Sequence, residues 1–496
     1  MRTQLRSQAV GDSNGSVVGL RGLPATLERL ERYRHRGVRP GIDRMRWLCA
    51  ELGHPEVGAR VVHVTGTNGK GSTVRLVDAL LRECGFRTGR YLSPHLVRIN
   101  ERIAIAGSPI ADDVFCQHVE ELSPLFDRAE DALGETITHF EALTAMALVA
   151  FREARSDALV VEVGVGGLFD DTNVLDGEVA IITNVAMDHV GQLGPELSDI
   201  ARHKSGIVKP GSTAVIGTLG PGASEVVAQA CQRVGSRLWR MHDEISVHRT
   251  KNGSLGHGVQ IVTPFGTHET SVPFEGPHQL ANAALALAAV EAFTGAALPS
   301  ERVAHAWDGL VNPAHFEVLG EPPVLVVDVA HNPAGVSALL EAMEESFADR
   351  GVVLVFGTSP AKDAQGMLSL LGARINAAVL TEAPGAPHQA CSELRRLAQS
   401  AGIRSAFAEP RPKVAVRKAL SLAREGEIVL CCGSHYWIGS IYEWASRTFG
   451  SSSGGSLLRA PIGPTGWDLG GDPRRGSVPG RAEAWTAATA RGEPPR

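Results

Sequence analysis

Residues 61–73 read VVHVTGTNGKGST. An apolar, β-branched run ends at Thr65. A glycine-rich turn follows through Gly66, Thr67, Asn68, Gly69, Lys70 and Gly71, and Ser72 and Thr73 open a helical pattern that continues to Cys84. A strand, a glycine loop and a helix in that order form a cradle for an anion. The glycines let backbone N–H groups converge without a Cβ in the way, and the helix N-terminus adds partial positive charge. Lys70 can reach outer phosphate oxygens, and Ser72 or Thr73 can meet a phosphate oxygen or Mg²⁺. The spacing differs from the full GxxxxGK[ST] form, because Val64 stands at the first glycine position and Gly71 at the hydroxyl position.

The surrounding chain carries the same alternation. Short Val- and Ile-rich runs at 60–65, 158–164, 179–185 and 213–217 are bounded by Gly, Asn or Asp, and helical patterns lie between them at 72–84, 140–155 and 196–208. Such alternation predicts a mainly parallel α/β sheet. A helix, a Gly-Pro loop and a second helix are expected over 23–52. Shorter strand-like pieces over 236–274 predict a β appendage, and an Ala/Leu-rich helix follows at 279–294. A second α/β series begins at VLVVDV (324–329) and continues through a helix at 333–348, then VVLVF, AAVLT and EIVLCC. The expected division is a central domain over 23–310 and a C-terminal domain over 311–450. Residues 1–22 are expected to be a flexible tail. Residues 451–496, rich in Gly, Pro, Ser and Arg, bury too little apolar surface to fold and are expected to be disordered.

With 496 residues, of which 43% are hydrophobic and 21% charged, the chain has enough material for a core in each of two domains. Its net charge of −6 and lack of a long basic block speak against a nucleic-acid partner. The 7 cysteines are scattered with no CxxC pair, so a zinc site or redox dithiol is not expected and buried reduced thiols are. There is no apolar run of signal-peptide or membrane-spanning length, which points to the cytoplasm.

The phosphate loop is one of a series of segments. Around it stand GVRPGIDRMRWLCAELGHPE (37–56), YLSPHLVRINERIAIAG (91–107), THFEALTAMAL (138–148), VVEVGVGG (160–167), ITNVAMDHVGQLG (182–194), IARHKSGIVKPG (200–211), GPHQLANA (276–283), HFEVL (315–319) and DVAHNP (328–333). In this order they resemble the folylpolyglutamate/dihydrofolate synthases of the Mur ligase superfamily, over about two-thirds of the chain. The resemblance implies a central P-loop ATPase domain followed by a smaller, Rossmann-like C-terminal domain, with the active site between them. It implies an ATP-dependent ligase that phosphorylates a carboxylate and then joins it to an amine. In the family the acid is dihydropteroate or a reduced folate and the amine is L-glutamate, and members tend to be monomeric. Two further readings stand beside this one: the same chemistry on a non-folate acceptor, and nucleotide binding without ligase turnover.

The resemblance also implies roles for single residues. Lys70, His189 and Lys204 are the catalytic candidates. The ATP site comprises Gly66 to Thr73, with Asn282 on the adenine side, His315 near the phosphates and Asp328 as the nucleotide-binding aspartate of the second domain. Ser93, Glu162 and His189 resemble the Mg²⁺ ligands. Lys204 matches a lysine that the family carries as a carbamate, which can hold a second ion. Carbamylation needs a neutral amine, so burial would favour it. Glu162 closes an apolar strand, where a carboxylate is costly to bury without a cation. Phe140, Glu141, Leu168, Phe169 and Asp170 resemble the pterin pocket, where Phe169 could pack on a flat ring.

The chain departs from the family pattern at several of these positions. GGLFDDTN (166–173) has Leu168 where an arginine is usual, and AHFEV (314–318) has His315 where a phosphate-facing arginine is usual. Histidine is at most partly charged at neutral pH and lacks the two-pronged guanidinium. Val329 replaces a glycine in DVAHNP, and His203 replaces an acidic residue before Lys204. PAKDAQGML (360–368) resembles a family motif loosely, and GSHYWIGS (433–440) is not aligned with a family segment.

Overall fold

The computed structural model describes residues 19–34, 40–250, 258–320 and 324–450. Within them two separate α/β sheets are stacked along the chain, as the alternation predicts. The first has eight strands in the order Ser108–Pro109, Ile103–Ile105, Thr88–Tyr91, Ala158–Glu162, Arg60–Thr65, Val179–Ile182, Thr213–Ile216 and Arg237–Arg240. The first two are antiparallel additions at one edge and the other six run parallel. Arg60–Thr65 lies centrally between Ala158–Glu162 and Val179–Ile182, and five of its six residues are buried. A strand covered on both faces needs a near-continuous apolar run, which VVHVT supplies.

The second sheet has six strands, in the order Glu317–Leu319, Val324–Val327, Ile428–Cys432, Val352–Phe356, Ile375–Leu380 and Ala406–Ala408. Only Glu317–Leu319 is antiparallel. The chain thus has the expected α/β class, with a larger parallel-rich unit followed by a smaller one. The division expected at 310/311 lies between helix Ser300–Trp307 and strand Glu317–Leu319.

Three details differ from the sequence reading. Helix Gly19–Arg34 starts inside the stretch expected to be tail, while 1–18 and 451–496 lie outside the described residues. Of the 236–274 stretch, Arg237–Arg240 pairs in parallel with Thr213–Ile216 and so belongs to the large sheet. Only Ser246–Arg249, Gly258–Thr263 and Gly266–Ser271 form the antiparallel appendage. Helix Asp112–Leu133, 22 residues long, was not foreseen.

Helix Pro277–Thr294 has no polar face over Ala283–Val290, all of which are buried at 0–1% exposure. Such a helix must be covered all round. It packs on the phosphate-loop helix Lys70–Glu83 and on strands Val179–Ile182 and Thr213–Ile216, which holds the phosphate loop on a rigid support. The 7 cysteines are unpaired, six of them buried, and burial pushes the Cys431 thiol beyond the usual range. Among the described residues no helix is long and apolar enough to cross a membrane.

Candidate active site

The carboxyl ends of the first sheet's parallel strands face the second sheet, and a cleft of about 500 Å³ opens there, lined by residues of both. In α/β proteins this is where ligands bind, and the size suits a nucleotide-sized ligand. The phosphate loop forms one wall. Gly69 has φ +80°, a conformation that favours glycine, and a Cβ there would stand 2.6 Å from Asn282 Oδ1. Lys70 donates to the carbonyls of Gly66 and Thr67, each at 3.2 Å. These local bonds hold the ammonium over the loop.

Gly66, Thr67, Asn68, Gly69, Lys70, Gly71 and Ser72 line the cleft. Thr73 does not, because its hydroxyl donates back to Gly69 O at 2.9 Å. Asn282 is also displaced from the lining. Its amide sits behind Gly69 and donates to Gln279 Oε1 at 3.0 Å, so Gln279 and His278 face the cleft in its place. His315 and Asp328 both line it. The Asp328 carboxylate accepts from Phe316 N at 2.7 Å and Ala330 N at 2.6 Å, and burial lifts its pKa to about 6.

Glu162 stands beside the loop at 4% exposure. A backbone N–H, from Ser93, reaches its carboxylate at 2.9 Å, and burial lifts it to about 7 against the pull of Lys70. A Cβ at Gly71 would lie 3.8 Å from Glu162 Oε2, which places the carboxylate beside the start of the phosphate-loop helix. A buried carboxylate facing a phosphate cradle fits a divalent cation. Among the described residues no group of three His, Cys, Asp or Glu side chains converges as a closed cage would. An ion held by Ser93, Glu162 and His189 would therefore share its shell with phosphate and water, as Mg²⁺ does. His189 has φ +51° and is held neutral, with burial and Lys362 lowering it to about 4.

Lys204 is 3% exposed and lines the cleft. Among the described residues no hydrogen bond or ion pair reaches its amine. Burial, reinforced by Lys70, depresses its pKa strongly. Lowering the pKa of an unpartnered amine favours the neutral form that carbamylation requires.

Phe140, Phe169 and Asp170 also line the cleft. Phe140 packs on Tyr91, with ring centroids 5.8 Å apart, and Phe169 is 48% exposed, edge-on to His203. Two residues expected in this pocket do not line the cleft. Glu141, fully buried, caps its helix by accepting from Thr138 N at 2.7 Å and pairs with Arg44 at 2.5 Å. Its carboxylate is occupied by the scaffold. Leu168 packs against Gly206, and its backbone is tied to His203 O and Asn173 Nδ2, which turns it away from the lining.

Several cleft residues had no role in the sequence reading. Arg75 lies one turn past the phosphate loop on the same helix. Asp171 is 8% exposed and lifted to about 9 by burial and by Asp170. Lys362 and His435 come from PAKDAQGML and GSHYWIGS. Lys362 and Asn332 both reach across to Asp188. Their only signal in sequence was a charged or imidazole side chain in a motif that did not align.

The fold and the cleft together define a Mur-type ligase. The Mur ligase middle domain matches residues 64–290 and the Mur ligase glutamate ligase domain matches 316–435. The dihydrofolate synthase/folylpolyglutamate synthase of Mycobacterium tuberculosis is 34% identical over 436 residues, covering 83% of this chain and 89% of its own. The protein of the same name from Bacillus subtilis is 35% identical over 345 residues, covering 68% and 79%. Among solved structures, M. tuberculosis folylpolyglutamate synthase complexed with ADP and AMPPCP superposes with a TM-score of 0.81 at 33% identity, covering 87% of this chain and 98% of the other. Escherichia coli FolC in complex with DHPP and ADP gives 0.76 at 28% identity, covering 86% and 98%. The chain belongs to the dihydrofolate synthase/folylpolyglutamate synthase family.

Proposed function

We propose that this protein is an ATP-dependent, ADP-forming ligase that adds L-glutamate to dihydropteroate, to reduced folates, or to both. The observation that carries the reading is the convergence of the phosphate loop, Glu162, Lys204, Phe140 and Phe169 on one cleft. Relatives complexed with ADP, AMPPCP and DHPP support the nucleotide and the pterin-like acid.

The loop N–H groups and Lys70 cradle the nucleotide phosphates, and Asp328 accepts from its ribose. The acid lies with its ring between Phe140 and Phe169 and its carboxylate toward Lys70. Lys70 and the helix N-terminus lower the repulsion between carboxylate and polyphosphate, the main barrier to attack. The carboxylate oxygen attacks the terminal phosphorus and ADP leaves. The glutamate amine then attacks the acyl carbon and phosphate leaves. Mg²⁺ bound at Ser93, Glu162 and His189 would neutralise phosphate charge, and a carbamate on Lys204 would supply an anion for a second ion. The division at 310/311, a monomeric state and a cytoplasmic location belong to the same proposal.

A non-folate acceptor is the second reading, favoured by His315 standing where a guanidinium is expected. The test is incubation of purified protein with ATP, Mg²⁺, glutamate and either dihydropteroate or tetrahydrofolate, followed by mass spectrometry. A glutamate mass gain coupled to ADP release is expected. No product with either pterin, but ADP release with another acid, would move the assignment to the second reading.

A further inference from the structure

His315 and His435 come from opposite ends of the second sheet's sequence, and their ring centroids stand 6.2 Å apart on the cleft wall. His315 is held over the phosphate-loop helix, because Asn312 donates to Ser72 Oγ at 2.9 Å. His435 opens helix His435–Phe449, behind the N-cap Ser434, and Gly433 N donates to Ala330 O at 2.8 Å. Both rings line the cleft from rigid supports.

The bonding of the rings restricts what they can offer. His315 Nδ1 stands 2.8 Å from Pro313 O. A carbonyl oxygen only accepts, so Nδ1 carries the hydrogen and neutral His315 presents a lone pair at Nε2. That lone pair repels a phosphate oxygen. Only the doubly protonated ring can donate to one. His435 has no hydrogen-bond partner among the described residues. Its ring contacts are with other imidazoles, His331 at 5.4 Å and His315 at 6.2 Å between centroids, so its nitrogens are left to the cleft.

The surroundings keep both rings neutral while the cleft lacks an anion. His315 faces Arg75 of the phosphate-loop helix, His278 of helix Pro277–Thr294 and His331 of the turn after strand Val324–Val327, and burial with these neighbours lowers it to about 4. His435 faces His331, His315, Lys70 and Lys362, and burial with these lowers it well below the usual range. A phosphate group beside the rings adds negative charge, which favours their protonated form.

We propose that His315 and His435 form a two-imidazole clamp for a phosphate group of the bound nucleotide, uncharged in the free protein and charged by proton uptake when the phosphate enters. The inference rests on the nucleotide reading above and adds a residue, His435, and a proton linkage to it. The protons come from bulk water and return when the phosphate leaves. A guanidinium at position 315 would bind phosphate without this exchange.

The test is titration calorimetry of the whole protein with AMPPCP and Mg²⁺ in two buffers of different ionisation enthalpy. The buffer dependence of the heat counts protons taken up, and the nucleotide's own proton cancels between wild type and variants. Wild type is expected to take up more than H435Q and more than H315R. H435Q should bind about tenfold more weakly, the order of one charge-assisted hydrogen bond, whereas H315R should keep its affinity. The affinity advantage of wild type over H435Q should grow from pH 8 to pH 6, a comparison in which the titration of the nucleotide and of Glu162 cancels. Equal uptake in wild type and both variants, or a ratio of wild-type to H435Q affinity that does not change with pH, would overturn the clamp alone. No binding of AMPPCP to wild type would overturn the nucleotide reading and the clamp with it.

Discussion

Lys362 donates to Asp188 Oδ1 at 2.6 Å, joining a loop of the second sheet's domain to the loop that follows strand Val179–Ile182 in the first. Both side chains are largely buried, at 15% and 10% exposure. Burial alone would raise the Asp188 carboxyl, but Lys362, helped by His189 and His331, outweighs it and holds the pKa below the usual carboxylate range. A second link lies alongside, where Asn68 and Asn332 exchange amide hydrogen bonds at 3.1 and 3.0 Å.

Removing one partner of a buried pair leaves the other charge uncompensated. Lys362→Met is expected to cost about 2–3 kcal/mol at neutral pH. The Asp188 pKa is depressed in the folded state, so its contribution is present above the unfolded carboxylate pKa and lost as pH falls through the folded value. Denaturation series at pH 7 and pH 3 check this: the gap between wild type and variant should shrink in acid.

Glu162 has the opposite sign. Its folded pKa of about 7 lies above the usual carboxylate value, so the unliganded protein loses stability as pH rises from about 4.5 through 7. Glu162→Gln removes this slope and should stabilise the unliganded protein at pH 8 by on the order of 3 kcal/mol, the size of the shift. The same change should lower ligase turnover by about 10²–10³-fold, the usual effect of losing a transition-state charge partner. Opposite movement of melting temperature and activity identifies a ligand carboxylate. A fall in both would mark a structural one.

Carbamylation of Lys204 is open to direct observation. Protein equilibrated with ¹³C-bicarbonate should show a carbamate carbonyl resonance that Lys204→Ala lacks, and the variant should lose turnover by at least about 10²-fold. Labelled wild type without that resonance would leave Lys204 as an amine.

Glu141 and Phe169 separate scaffold from pocket. Glu141→Gln breaks a buried pair with Arg44 and a helix cap, and should cost about 2–4 kcal/mol of stability while KM for the acid stays within about twofold. Phe169→Ala, at a residue 48% exposed, should change stability by less than about 0.5 kcal/mol and raise KM for the acid. Chemical denaturation and steady-state kinetics on the two variants distinguish the roles.

The local part of the site was legible in sequence because its information is local. Gly66–Ser72, Glu162 at a strand end and Asp328 at another are each set by a few neighbouring residues, and alternation of apolar runs with helical patterns carried the two-sheet class. Glu141 and Asn282 misled because motif position does not specify which way a helix face turns. Burial turned the first toward Arg44 and the second toward Gln279. Only the tertiary structure brought Lys362 to Asp188, His435 beside His315, and Arg75 onto the cleft wall. Those groups lie on separate helices and loops, with Lys362 and Asp188 174 residues apart in sequence. No periodicity links them, and their meeting depends on how two sheets present their strand ends to each other.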